Sequence, residues 1–183
     1  MLNNIEVPKK AKNTRRNILL VLSFLLAVIG VVLISGTIFV PQTVEKVYGN
    51  TKTVIQHQVQ VIQQAVVPEQ LATVTLGGLG GKAELDWCDG TFIEMESYRI
   101  PGVPPVYAAH NSCGGDIILG WTVGQHIQIT NTGHIYEIVE ERYTTKWSQI
   151  DSLVGMQGDL VLQSCYYGEN KMRFLGLKEI PGK

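Results

Sequence analysis

One cysteine and one arginine near the C-terminus stand at the ends of two apolar runs. The stretch DLVLQSCYYGENKMRFLGL, residues 159–177, has Cys165 closing the first run and Arg173 opening the second. If the turn between them joins two strands as a hairpin, the two side chains can be cross-strand neighbours on one face. A guanidinium there would favour the nucleophilic thiolate and could donate to a developing oxyanion. The alternative is an edge-strand arginine beside an inert core cysteine.

Thiol chemistry also needs a group that transfers protons. Of the four histidines, His126 and His134 alternate with β-branched residues and are typical of solvated strand faces, and His57 lies in a Gln-rich segment. His110 ends the short apolar run VYAAH and precedes the turn NSCGGD, which should expose it. We therefore predict His110 as the proton-transfer group, with a structural histidine as the alternative.

The two remaining cysteines, Cys88 and Cys113, affect the same site. An odd number of cysteines leaves one free thiol or an intermolecular bridge, and a Cys88–Cys113 disulfide would leave Cys165 free. The sequence does not fix the connectivity, and three free, buried thiols are the alternative. A tetrahedral zinc site built on His110, Cys88 and Cys113 would lack a fourth ligand. No metal and no cofactor is therefore expected.

An apolar segment near the N-terminus predicts a membrane anchor. Residues 18–40 carry no charged side chain and are long enough to cross a bilayer core of roughly 30 Å. Basic residues precede this segment, namely Lys9, Lys10, Lys12, Arg15 and Arg16, and such residues remain cytoplasmic. The pattern predicts a cytoplasmic tail at 1–17, a single anchor at 18–40 and a C-terminal part outside. A cleaved signal peptide and a buried core helix are the alternatives.

The charge is divided unevenly along the chain. Residues 1–40 hold five basic side chains and one acidic side chain, which leaves 10 basic and 15 acidic ones for the remainder and a net charge of −5 there. An acidic ectodomain argues against nucleic acid as a partner. It also argues against electrostatic adhesion to an anionic surface.

Residues 41–82 predict a stalk and a linker. Val47, Val54 and Val61 recur every seven residues, which fits a short coiled-coil seam. Part of the same segment also alternates like a strand, so the type of element stays open. The run LGGLGGK at 76–82 is rich in glycine and predicts a flexible joint.

Residues 83–183 consist of short β-like runs divided by turns. The runs HIQIT and HIYEIVEERY flank the tripeptide NTG, which predicts a hairpin. No long amphipathic helix is evident in this part of the sequence. The fold class is therefore mostly β, closed or sandwiched, with a domain of about 100 residues.

Taken together, these motifs resemble those of the sortases, the membrane-anchored cysteine transpeptidases of Gram-positive bacteria. The sortase pattern is a His after a short apolar strand, a strand that ends in a Leu-x-Thr-Cys-like motif, and an Arg on the next strand. His110, Cys165 and Arg173 occur in that order. The run VGQHIQI resembles the Gly-Asp-x-Ile/Val segment of the family, with Gln125 in place of Asp, and Ser164 stands where Thr is usual.

The resemblance covers residues 100–178 and implies a sortase-like closed β-barrel, preceded by one transmembrane helix and a stalk. It implies that Cys165 attacks a C-terminal sorting motif of a secreted protein, while Arg173 donates to the substrate or the oxyanion. His110 then protonates the leaving amine, and an amine acceptor, a cell-wall precursor or a pilin-type lysine, resolves the thioacyl intermediate. The implied location is the cell membrane, single-pass, with the C-terminal domain extracellular.

Two other kinds of protein compete with this interpretation. The segment between the predicted linker and His110 is short for a sortase, which motivates a non-catalytic, membrane-tethered sortase-like module for binding or assembly. A papain-like peptidase has its Cys before its His in the sequence, so the order of His110 and Cys165 argues against that class.

Overall fold

The computed structural model describes residues 10–66 and 71–182 and begins with helix α1 (Lys10–Phe39). Within those residues, the segment Asn17–Phe39 is the one helix long and apolar enough to cross a membrane, with a mean hydropathy of 3.1. The criterion is length and composition, which an anchor and a signal sequence both meet. The predicted tail at 1–17 lies mostly outside the described residues.

The chain divides into one unit that ends at Val44 and another that begins at Glu45. Among the residues that the structure describes, the second unit contains a single sheet of eight strands. The strands are β1 (Ala72–Val74), β2 (Leu76–Gly80), β3 (Phe92–Met95), β4 (Val106–Ala108), β5 (His126–Ile129), β6 (Ile135–Thr144), β7 (Leu160–Cys165) and β8 (Met172–Glu179). Their order in the sheet is β1-β5-β6-β8-β7-β4-β3-β2. The predicted mostly-β class is confirmed, and residues 71–182 are called the β-domain below.

The strands at the two ends of this order are consecutive in the sequence. β1 pairs with β5 and β2 pairs with β3, both in parallel, and Thr75 alone separates β1 from β2. One run of chain therefore takes part in both ends of the sheet. Within the described residues β1 and β2 do not pair with each other, so the predicted closed barrel is not confirmed.

The Gly-rich segment at 76–82 is not a linker, contrary to the prediction for 41–82. Five of its residues form β2, and the four-residue helix α3 (Lys82–Leu85) follows. A Cβ atom on Gly77 would lie 2.6 Å from Cδ1 of Ile93, and one on Gly80 would lie 2.9 Å from Cγ of Glu84. These glycines permit a close approach between neighbouring segments, and the β-domain therefore begins before residue 83.

Helix α2 (Pro41–Val66) occupies the segment whose type the sequence left open. Within the unit that begins at Glu45, Gly49 is buried and Lys52, Thr53 and Gln56 are partly buried, which is the i, i+3, i+4, i+7 pattern of one helix face. The stalk prediction is therefore wrong for this stretch, because that face packs on the β-domain. The face is polar, so hydrophobic periodicity could not reveal it.

Apolar side chains cover both faces of the central strands. The Leu162 cluster includes Phe92, Ile118, Trp121, Leu162 and Leu175 among its buried members. The Val161 cluster consists of Val106, Leu153, Met156, Val161, Met172 and Phe174. Burying a side chain of this size contributes about 1.5–3 kcal/mol. The predicted β5–β6 hairpin is confirmed, with antiparallel pairing on either side of residues 130–134.

Candidate active site

The β7–β8 hairpin places Cys165 and Arg173 on opposite faces of the sheet. The two strands pair as predicted, but Cys165 lies opposite Met172, whereas Arg173 lies opposite Ser164. Paired residues project to the same side, and neighbours along a strand alternate. The expected cross-strand contact between the thiol and the guanidinium is therefore wrong, and the difference is one residue of register.

Arg173 is instead buried, with a relative exposure of 4%. Its Nη1 donates to the carbonyl oxygens of Ile118 and Leu119, at 3.1 and 2.6 Å, and its Nη2 donates to the carbonyl of Trp121 at 2.6 Å. Nη2 also bonds Glu141 Oε2 at 2.6 Å. The acceptors are the last carbonyls of a 3₁₀ helix, Gly115–Gly120, and the residue that follows it. Arg173 thus fixes that helix to the sheet.

His110 follows the end of β4 by two residues, and Cys165 is the last residue of β7, the parallel neighbour of β4. β4 pairs with β7 so that Val106 lies beside Val161 and Ala108 beside Gln163. The backbone of His110 is still extended, with φ −62° and ψ 139°. His110 and Cys165 each follow the paired residues Ala108 and Gln163 by two positions, so the same register carried two residues further would set them side by side on one face.

Two hydrogen bonds join the residues that immediately precede this pair. The backbone N–H of Ala109 donates to the carbonyl of Gln163 at 3.2 Å. The fully buried Ser164 hydroxyl donates to the carbonyl of Ala109 at 3.1 Å. The hydroxyl at the position that is usually Thr in the family pattern therefore holds the strand ends of His110 and Cys165 in register.

Cys165 lies at the border of the Val161 cluster. It is partly buried, and Tyr98 and Val103 pack against the same cluster. The amide Nε2 of Gln163 lies 3.6 Å from its Sγ. Burial, and then the charge of a Cys165 thiolate, raise the pKa of Tyr98 above its ordinary value. A cavity of about 350 Å³, lined by residues 99–101, 103–105 and Glu94, adjoins this region through Val103.

His110 is held by a carboxylate and by a nearby disulfide. Its Nε2 lies 2.9 Å from Oδ1 of Asp86, and both side chains are substantially exposed. A disulfide joins Cys88, two residues after Asp86, to Cys113, three residues after His110. This is the pairing that the sequence raised as a hypothesis, and it closes a loop with a sequence separation of 25. A crosslink of this kind stabilises a fold by about 2–4 kcal/mol.

Three residues near the site were not identified from the sequence. Asp86 had one available signal, since it lies two residues from a cysteine that pairs beside His110. Gln163 shares the strand face of Cys165 by simple alternation. No sequence pattern indicated Tyr98, because it lies in the connection between β3 and β4, whose path the sequence does not specify.

A second polar network holds the loop that covers the Val161 cluster. Arg142 Nη1 donates to the carbonyls of Ser152 and Val154, at 2.9 and 3.2 Å. Glu140 Oε1 accepts from Arg142 Nη2 at 2.6 Å, and Glu140 Oε2 accepts from the N–H of Gln157 at 2.7 Å. Burial raises the pKa of Glu140, but these hydrogen bonds and the charge of Arg142 outweigh it and bring the pKa below its ordinary value.

Glu140→Gln is expected to reduce the free energy of unfolding at pH 7 by about 1 kcal/mol, the typical net worth of such a hydrogen bond. Because the pKa of Glu140 is lower in the folded state, its contribution is present above the unfolded pKa, about 4.3, and is lost as the pH falls further. Thermal unfolding of both proteins at pH 7 and at pH 3 should show a smaller difference at pH 3 than at pH 7. Glu137→Gln, on the same strand, is the control, and a difference that is as large at pH 3 as at pH 7 would contradict the assignment.

The structure is similar to solved sortases. Listeria monocytogenes sortase A is 14% identical, with a TM-score of 0.41 over 58% of this chain and 81% of that one. Sortase C1 from Streptococcus agalactiae is 16% identical, with a TM-score of 0.44 over 59% of this chain. A Clostridium perfringens sortase D5, described as a transpeptidase, is 16% identical, with a TM-score of 0.39 over 57% of this chain. The chain spans 61% of the length of that sortase C1. No protein-family model and no curated protein matches this sequence.

Proposed function

We propose that the chain is a sortase-type cysteine transpeptidase with His110 and Cys165 as its catalytic residues. The observation that supports the proposal is the parallel pairing of β4 with β7, in which Ala108 lies beside Gln163, two residues before His110 and Cys165 respectively. Cys165 is the free cysteine among the described residues. A nucleophile beside a proton-transfer group is what covalent acyl transfer requires.

The reaction would proceed in two covalent steps. The Cys165 thiolate attacks the carbonyl carbon of a sorting motif near the C-terminus of a secreted protein, forming a C–S bond and an oxyanion. The C–N bond then breaks as the His110 imidazolium protonates the leaving amine, which leaves a thioester. Neutral His110 next removes a proton from an incoming amine, which attacks the thioester and releases Cys165. If water attacks the thioester in place of the amine, the product is a carboxylic acid and the protein acts as a cysteine protease.

In this proposal Arg173 does not bind the oxyanion. Its guanidinium already bonds three carbonyls and one carboxylate on the other face of the hairpin. Its role would be to fix the 3₁₀ helix that follows the His110 loop. The cavity lined in part by Val103, which like Cys165 packs against the Val161 cluster, would accept part of the peptide substrate.

The location and partners follow from the same proposal. Residues 18–40 would anchor the protein in the membrane of a Gram-positive cell in a single pass, with the β-domain at the cell surface. The acyl acceptor would be a cell-wall precursor or a pilin-type lysine, and nucleic acid would have no part. Residues 72–80 would complete a barrel, since they already pair with strands at both ends of the sheet.

A non-catalytic binding or assembly module is the second candidate. The observation that favours it is the position of Arg173, which leaves the thiol without the neighbouring cation that the family pattern implies. Such a module would bind a peptide beside Cys165 without forming a bond to it.

The experiment that separates the two candidates uses the full-length chain in detergent micelles and a panel of sorting-motif peptides. Intact-mass and peptide-level mass spectrometry would detect a thioester on Cys165, and Cys165→Ala is the control. The transpeptidase predicts an adduct that an added amine removes, with release of the ligated product. Peptide binding by a folded protein with neither adduct nor cleavage would instead support the binding module.

A further inference from the structure

Helix α2 contacts the β-domain through an ion pair between the partly exposed Lys52 and the buried Asp116. Lys52 Nζ lies 2.5 Å from Oδ2 of Asp116, whose side chain is 1% exposed. The other carboxylate oxygen, Oδ1, has no hydrogen-bond partner in the part of the chain that the structure describes. A buried carboxylate needs a cation close by, and Lys52 supplies it from an element that precedes the sheet.

Tyr167 connects this ion pair to the candidate active site. Its hydroxyl lies 2.7 Å from the carbonyl oxygen of Asn111 and 3.1 Å from Oδ2 of Asp116, and Lys52 Nζ lies 3.5 Å from the same hydroxyl. Asn111 directly follows His110, and Tyr167 is two residues beyond Cys165. Three side chains therefore tie α2 to both of the loops that leave the proposed catalytic residues.

Helix α2 lies so close to Tyr167 that the residue at position 49 has to be small. A Cβ atom on Gly49 would lie 2.3 Å from Cβ of Tyr167, so only glycine fits at that turn of the helix. Burial would lower the pKa of Lys52, but the hydrogen bond and charge of Asp116, with a smaller contribution from Tyr167, outweigh it and raise the pKa. Lys52 is thus held in its charged form.

We propose that Lys52, Asp116 and Tyr167 are positioning residues that set the His110 loop against the Cys165 turn. The proposal deepens the transpeptidase proposal above and depends on it for the roles of His110 and Cys165. In this proposal helix α2 helps to position the proposed catalytic residues and is not only a spacer between the membrane and the β-domain. The reactivity of the Cys165 thiol should then depend on a lysine far from it in sequence.

The test measures two quantities on the full-length chain: the rate of Cys165 alkylation by iodoacetamide, followed by mass spectrometry, and kcat and KM for thioester formation. Tyr167→Phe keeps the ring but removes the hydroxyl, and Lys52→Met removes the charge. Both variants should lower the alkylation rate and kcat by roughly tenfold, because small displacements of reacting groups are costly, while KM changes little. Lys52→Arg should restore most of both rates.

Lys46→Met is the matched control, since Lys46 on the same helix forms a more exposed ion pair with Glu169. It should leave both rates unchanged. If Lys52→Met and Tyr167→Phe are less stable but react at wild-type rates while folded, the network is merely structural and the positioning proposal is wrong. If Lys52→Met does not fold, Tyr167→Phe decides alone.

The two proposals fail in different ways. Absence of a thioester in the wild-type chain, with slower alkylation in Tyr167→Phe and Lys52→Met, would refute the transpeptidase and leave the coupling of α2 to Cys165 in place. A thioester in the wild type, with unchanged rates in both variants, would support the transpeptidase and refute the positioning role of Lys52 and Tyr167.

Discussion

Arg173→Met should lower the free energy of unfolding by about 3 kcal/mol, since it removes hydrogen bonds from a charged donor to buried acceptors. The carbonyls of Ile118, Leu119 and Trp121 would lose their partner inside the fold. Glu141 would lose its cation, although its greater exposure lets water replace part of that interaction. Urea or thermal unfolding of the full-length chain, followed by near-ultraviolet circular dichroism, would measure the change.

Arg99→Met is the matched control for Arg173→Met. Arg99 also pairs with a carboxylate, that of Glu94, through two of its nitrogens, but its side chain is 52% exposed, and exposed pairs are worth about 0–1 kcal/mol. Arg173→Lys should recover only part of the loss, because an ammonium cannot reach several carbonyls with the fixed fork of a guanidinium. If Arg173→Met keeps its stability but forms no thioester, Arg173 acts directly in the chemistry and the structural role is wrong.

The sequence predicted the hairpin that contains Cys165 but not its register. Alternation along each strand is visible in the sequence, whereas the turn decides which residues are opposite each other. With residues 166–171 between the strands, Cys165 lies opposite Met172. A shift of one residue would have placed Arg173 there and moved every side chain of one strand to the other face.

The part of the fold at residues 41–82 was predicted poorly for two physical reasons. By composition alone, the glycines in LGGLGGK indicate flexibility. In the structure, a Cβ atom on Gly77 or Gly80 would collide with the side chain of Ile93 or Glu84, so these glycines permit close packing. The buried face of α2 carries Gly49, Lys52, Thr53 and Gln56, so its contact depends on an ion pair and on close packing. Neither kind of contact leaves a hydrophobic period in the sequence.

The candidate catalytic pair was more accessible to prediction than its surroundings. His110 and Cys165 each end an apolar run, and ends of parallel strands lie at one edge of a sheet. The strand pattern identified both ends, but that β4 and β7 are parallel neighbours is known only from the structure. The carboxylate beside His110 comes from a turn, at Asp86, and turn paths depend on tertiary contacts that no local pattern records.

His110→Ala should slow thioester formation by about 10²–10⁴-fold, the usual contribution of a positioned acid or base. The leaving amine would have to depart without a proton donor, and the thiolate would lose its neighbour. The His110 side chain is 40% exposed, so the free energy of unfolding should change by about 1 kcal/mol or less. Rapid-quench mass spectrometry of the Cys165 adduct, with unfolding measured on the same samples, tests both statements.

The fold provides a matched histidine for this experiment. His126 lies on β5, away from the ends of β4 and β7, and His126→Ala should react at the wild-type rate. Asp86→Asn keeps the shape of the partner of His110 while removing its charge, and it should slow the reaction less than His110→Ala does. Equal rates for His110→Ala and His126→Ala would mean that His110 takes no part in proton transfer. A different residue would then have to transfer the proton to the leaving amine.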